Sequence, residues 1–168
     1  MPRGCNHRGR AGLGRHFAAR ALCCALIFGV AAVAPCLADS TVETGEVILG
    51  RVEVIDGDTV ALTMRGMRVK VRLQGVDAPE FDTRAGRAAR TALQRIVGNA
   101  SLRCVLTGIR SYDREVGVCF GADGRDIGAA IIGAGFALDC PRYSGGRYAA
   151  LETQAARRRL SPAPYCRG

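Results

Sequence analysis

Apolar and polar residues alternate from Glu43 to Leu62 and again from Arg68 to Val76, and this two-residue period commits that part of the chain to β-strands. Val47, Leu49, Val52, Val54 and Val60 are the apolar positions of the first stretch, with Gly50 and Gly57 as punctuation. Arg65-Gly66-Met67 reads as a hairpin turn. In the second stretch Val69, Val71 and Leu73 share one face, while Arg68, Lys70, Arg72 and Gln74 share the other. Pro79 cannot donate to a ladder and stops the strand.

The period changes at Thr83. Ala85, Ala88, Ala89, Ala92, Leu93 and Ile96 form a helical stripe, and Arg84, Arg87, Arg90 and Arg95 lie largely off it. The spacing predicts a helix over 83–97, capped by Asp82 or Thr83 and stopped at Gly98-Asn99. Strands follow over 101–107 and 115–120, joined through the Ser111-Tyr112-Asp113 turn. A short helix over 126–133 and a third helix over 148–160 complete the order. The expected fold is mainly β with helices: five short strands closed into a small barrel, which removes exposed edges, with about three α-helices.

Composition narrows the chemistry. Residues 1–20 carry five arginines and no acid, residues 21–34 are an uncharged apolar run, and Pro35-Cys36-Leu37-Ala38 precedes the first acid, Asp39. That is the order of a secretory signal, so the expectation is a removed signal peptide over 1–38, one domain over 39–168, and a periplasmic or secreted product. Both histidines, His7 and His16, lie inside the leader. The remaining chain thus excludes a Ser-His-Asp triad and histidine-held zinc or haem. Four cysteines remain beyond the leader: Cys104, Cys119, Cys140 and Cys166. An even count in an exported chain predicts disulfides, with three pairings open. The excess of arginine over acid suits a polyanionic partner.

Carboxylates and arginines are left to carry function. Asp56 and Asp58 sit two apart in Val54-Ile55-Asp56-Gly57-Asp58-Thr59-Val60, so their side chains point the same way and repel unless a cation joins them. An oxygen-rich pocket of this kind suits a hard ion such as calcium, although Asp-Gly-Asp is also an ordinary surface turn. Asp77 and Glu80 lie just past a strand end in Arg72-Leu73-Gln74-Gly75-Val76-Asp77-Ala78-Pro79-Glu80. Arg72 offers a guanidinium that matches two phosphate oxygens, and Arg114, after the tyrosine turn, offers a second. Tyr112 is placed either to stack on a base or to pack on the barrel.

The segments at 54–60 and 72–80, together with Arg114, Asp126-Ile127-Gly128-Ala129-Ala130 and Gly135-Phe136-Ala137, resemble the staphylococcal nuclease, or thermonuclease, family over roughly residues 45–160. The resemblance implies a five-stranded barrel of the oligonucleotide-binding (OB) type and calcium-dependent phosphodiester cleavage of DNA and RNA. It assigns Asp58 and Asp77 as Ca2+ carboxylates, Asp56 as an acid acting near the ion, and Thr59 as a residue beside it. Ala78 holds the place of a backbone-carbonyl ligand where the family usually has threonine. Glu80 matches the acid that orients or deprotonates the attacking water, and Arg72 and Arg114 match the two catalytic arginines. Tyr112 and Tyr143 match tyrosines beside the bound nucleotide, and Pro141 stands where the family has a further tyrosine.

The expectation is therefore a monomeric metal-dependent nuclease, free of membrane insertion once its leader is removed. The alternative is a non-catalytic OB-fold module that holds nucleic acid or another anionic polymer, a role linked to envelope polysaccharide production in some exported proteins that resemble the family. A binder has no need of Glu80, Arg72 and Arg114 together.

Overall fold

The computed structural model describes residues 45–167. The leader and the boundary at Asp39 lie outside the described residues. Strand β1 (Val47–Val54) pairs antiparallel with β2 (Thr59–Met64), which pairs antiparallel with β3 (Met67–Leu73). A two-residue strand, β4 (Val76–Asp77), follows, and then helix α1 (Arg84–Val97). Strands β5 (Ser101–Ser111) and β6 (Arg114–Phe120) form a hairpin. Because β5 also pairs with β1, and β6 runs parallel to β3, the sheet closes in the order β1-β2-β3-β6-β5. This is the small five-stranded barrel expected from the strand pattern, and it is of the OB type that the resemblance implied.

Helix α2 (Ile127–Gly133), strand β7 (Leu138–Asp139) paired to β4, and helices α3 (Pro141–Ser144) and α4 (Gln154–Arg159) complete the described chain, with 3-10 turns at Ala149–Leu151 and Pro164–Cys166. Among the described residues there are thus four α-helices, three of them short, where about three were expected. The expected helix over 148–160 is broken because Glu152 is extended and Thr153 restarts the helix, its hydroxyl accepting from the Ala156 N–H at 3.0 Å. Glu152 accepts from the Asp139 N–H at 2.7 Å and pairs with Arg157, so its side chain serves β7 and α4 together.

The interior is filled by the inward faces of the strands and by the helices packed over them. Val60, Leu62, Val71, Leu93, Leu102 and Ile131 are wholly or almost wholly buried, each contributing about 1.5–3 kcal/mol by leaving water. On α1 the buried face is Gly86, Ala89, Ala92, Leu93 and Val97, so Ala88, counted in the apolar stripe, is exposed instead. Thr83 is the cap, its hydroxyl accepting from the Gly86 N–H at 2.9 Å.

Strand β5 runs four residues beyond its expected end, with an irregularity in its pairing to β6 between Leu106 and Arg110. Cys104 and Cys119 face each other across this hairpin and are bonded. Cys140 is bonded to Cys166, tying the start of α3 to the last turn of the described chain.

Candidate functional site

Register puts the site together. In the β2–β3 ladder Thr59 lies opposite Arg72, and in the β3–β6 ladder Arg72 lies beside Val116, two residues beyond Arg114. Three strand ends thereby deliver an acid-bearing turn and both arginines to one mouth of the barrel. Gly57, in the turn between β1 and β2, is packed so tightly that a Cβ there would stand 2.7 Å from the Cβ atoms of both Ala78 and Ala89. Only glycine lets the acid turn, the Asp77 segment and α1 meet this closely.

Asp58 and Asp77 are among the few buried charged residues, at 8% and 7% exposure. The Asp58 carboxylate forms an ion pair with the Arg72 guanidinium and accepts from the Thr59 hydroxyl at 3.1 Å and the Ala78 N–H at 3.3 Å. Thr59 Oγ1 in turn accepts from Arg114 Nη1 at 3.1 Å. A continuous chain of polar contacts thus runs from Arg114 through Thr59 and Asp58 to Arg72. Asp56 closes the turn by accepting from the Asp58 N–H at 3.0 Å. Arg114 is steadied by Ser111, through its backbone oxygen at 3.4 Å and its hydroxyl at 3.3 Å.

Burial sets the electrostatics. It pulls the Arg72 guanidinium below its ordinary range, Tyr165 opposes that pull, Arg114 adds to it, and Asp56 opposes it. The group remains cationic at neutral pH. Burial pushes the Asp77 carboxyl above the usual carboxylate range, and Glu80 adds to the rise. The Ala163 N–H, which donates to Asp77 Oδ2 at 2.8 Å, and the Arg72 charge hold it down. Glu80 itself is exposed at the mouth, and its backbone oxygen accepts from the Thr83 hydroxyl at 2.7 Å.

Among the described residues no three acidic, cysteine or histidine side chains form a ready ion cage. Asp58 and Asp77 present two buried carboxylates beside a hydroxyl, an all-oxygen donor set whose chemistry fits a hard cation better than a soft one. The donor set is therefore compatible with a hard cation such as calcium.

Of the two tyrosines singled out, Tyr112 does not pack on the barrel. It is 94% exposed, at the hairpin tip in a left-handed backbone conformation, φ 58°, with its ring 6.0 Å from the Arg114 guanidinium. A bulky residue rarely adopts that conformation. Tyr143, on α3, is half exposed. Its carbonyl accepts from Gln74 Nε2 at 3.2 Å, and the Cys140 N–H donates to Gly75 O at 2.9 Å, so α3 is docked on the end of β3 just beyond Arg72.

Two contributors were missed. Gly86, in the first turn of α1, lies against the backbone of Glu80: a Cβ would fall 1.9 Å from its carbonyl oxygen. The pattern showed Gly86 only as a gap in an apolar stripe. Tyr165, beyond the last recognisable helix, lies close to Arg72 and packs on Tyr143. Cys140 and Cys166 carried the signal for it, since pairing them brings Tyr165 to α3. Arginines of α1 and α4 also brace the backbone: Arg90 donates to Val54 O at 3.3 Å and Arg159 to Gly135 O at 2.6 Å.

A family model for staphylococcal nuclease homologues matches residues 70–161, more than half the chain. The matched region includes Arg72, Asp77, Glu80 and Arg114, while Asp56, Asp58 and Thr59 precede it. The chain is similar to a succinoglycan biosynthesis protein ExoI of Rhizobium meliloti (strain 1021), 35% identical over 121 residues, which are 66% of this chain and 61% of that protein. It is also similar to an uncharacterized endonuclease of Escherichia coli O157:H7, 29% identical over 98 residues, covering 58% of this chain and 64% of that protein. The chain thus spans less than two thirds of the length of these relatives. Among the described residues no helix is long and apolar enough to cross a membrane.

Proposed function

The chain belongs to the staphylococcal nuclease homologue family, and on that premise we propose that it is an exported, calcium-dependent nuclease that hydrolyses phosphodiester bonds of DNA and RNA. The observation that carries this reading is the convergence of Arg72, Arg114, Asp58, Asp77 and Glu80 at one barrel mouth.

A phosphodiester is an anion that water attacks poorly, so the site must supply positive charge and a proton acceptor. Asp58 and Asp77, beside Thr59 and Asp56, would hold a calcium ion, and its charge would offset that of the phosphate. Arg72 and Arg114 approach the phosphate from separate strands and donate to the oxygens that gain charge as phosphorus becomes five-coordinate. Glu80, exposed to incoming water, orients that water and takes its proton. Tyr112 and Tyr143, both solvent-facing, flank the nucleotide. The relative described as an uncharacterized endonuclease supports the reaction class.

The test is cleavage of single- and double-stranded DNA and of RNA by the purified protein, with calcium and with chelator. Cutting in calcium that chelator abolishes is expected; cutting indifferent to chelator removes the metal from the reading. Glu80→Gln is expected to slow cleavage about a hundredfold, the effect of losing roughly 3 kcal/mol of transition-state stabilisation, with the melting temperature nearly unchanged because Glu80 is exposed. Binding of nucleic acid without any cleavage would transfer the assignment to the non-catalytic module.

A further inference from the structure

The described chain ends in a segment that returns to the mouth. After Leu160 the backbone passes Asp77, whose Oδ2 accepts from the Ala163 N–H at 2.8 Å, and then turns through Pro164–Cys166. The disulfide from Cys166 to Cys140 fixes this turn to the start of α3. Tyr165, one residue before that anchor, packs against Tyr143, two residues after Pro141: ring centroids are 6.3 Å apart and the planes are inclined at 58°. Cys166 is buried, yet Tyr143 and Tyr165 remain 50% and 46% exposed. A covalent tie therefore holds two aromatic rings together with their faces partly open to solvent, and the Tyr165 side chain lies close to Arg72.

An open aromatic pair beside a phosphate-binding guanidinium matches a molecule in which a flat ring is joined through a short linker to a phosphate. We propose that Tyr165 is a specificity-determining residue, forming with Tyr143 a disulfide-held wall on which a nucleobase of the substrate stacks next to the phosphate engaged by Arg72. This deepens the nuclease reading and rests on it. Base–aromatic stacking tolerates any base, so the wall favours nucleic acid over other phosphodiesters without selecting a sequence. The Cys140–Cys166 bond is then part of the substrate site, since it sets the position of Tyr165.

The experiment compares two labelled hexamers by fluorescence anisotropy in calcium, one of six deoxythymidines and one of six abasic sites. It uses the purified protein carrying Glu80→Gln to suppress cleavage. The reference protein is expected to bind the base-bearing hexamer more tightly. Adding Tyr165→Ala should weaken that binding about tenfold and leave the abasic hexamer unchanged, while Tyr165→Phe should retain both affinities. The double change Cys140→Ser with Cys166→Ser should reproduce the selective loss. An unchanged ratio of affinities in Tyr165→Ala, or an equal loss for both hexamers, would overturn the proposal and leave the nuclease reading standing. Failure of the reference protein to bind either hexamer overturns both.

Discussion

Replacing Gly86 by alanine tests whether α1 sets the position of Glu80. In an unobstructed helix this change stabilises by about 1 kcal/mol, because glycine loses more backbone entropy on folding. Here the added Cβ would lie 1.9 Å from Glu80 O, 2.5 Å from Glu80 C and 2.7 Å from Pro79 O, where ordinary contact begins at 3.4 Å. All three atoms are backbone, so no side-chain rotation relieves the clash, and the Pro79-Glu80 segment must retreat by more than an ångström. Overpacking of this kind costs about 1–3 kcal/mol, which exceeds the gain in helix propensity. A displacement of about 1 Å at a reacting group can cost about a hundredfold in rate. Gly86→Ala is thus expected to lower the melting temperature modestly and kcat/KM for phosphodiester cleavage severely. Gly133→Ala is the control: it sits at the end of α2 with nothing within 4 Å of its Cβ position, and should be neutral or slightly stabilising with full activity. A Gly86→Ala protein with unchanged stability and rate would refute the claim that the helix braces the acid.

Tyr148 gives a pH test. Its buried hydroxyl donates to Asp126 Oδ2 at 2.7 Å, and burial pushes its pKa well above the ordinary tyrosine range, with Asp126 adding to the rise and Arg147 opposing it. Its folded-state pKa is raised, so its contribution to stability is complete below about pH 10 and is lost as pH climbs toward the folded value. Tyr148→Phe should cost about 1–2 kcal/mol at pH 7 in denaturant unfolding, and the gap from the parent should narrow above about pH 10; a gap that widens there would contradict the assignment. Changing Cys104 and Cys119 together to alanine should remove about 3 kcal/mol, the order expected for a closed loop of their separation of 15 residues, with the loss absent when both proteins are compared in reductant.

What could be read from the chain depended on how local the determining physics was. The β1 to β3 alternation and the Thr83-capped helix are short-range patterns, and both reappear with small boundary shifts. The four acids and two arginines were legible as motifs, but their shared location depends on β6 lying parallel to β3, a pairing that no local signal encodes. Ala88 was misassigned because an alanine-rich stripe carries little information about which small residues face the core. The break at Glu152 escaped because its cause is a contact with the Asp139 N–H, 13 residues away in sequence. Tyr165 was overlooked for the same reason: its position follows from a disulfide whose partner was one of three choices.

The parallel seam between β3 and β6 also governs timing. It unites segments more than forty residues apart, whereas the β5–β6 hairpin is local, so the seam is expected to form later than the hairpin. Until it zips, Arg72 and Arg114 belong to separate pieces of chain and cannot address one anion. Catalytic competence would then report the formation of this seam, readable in a refolding experiment as a lag between hairpin formation and the first turnover.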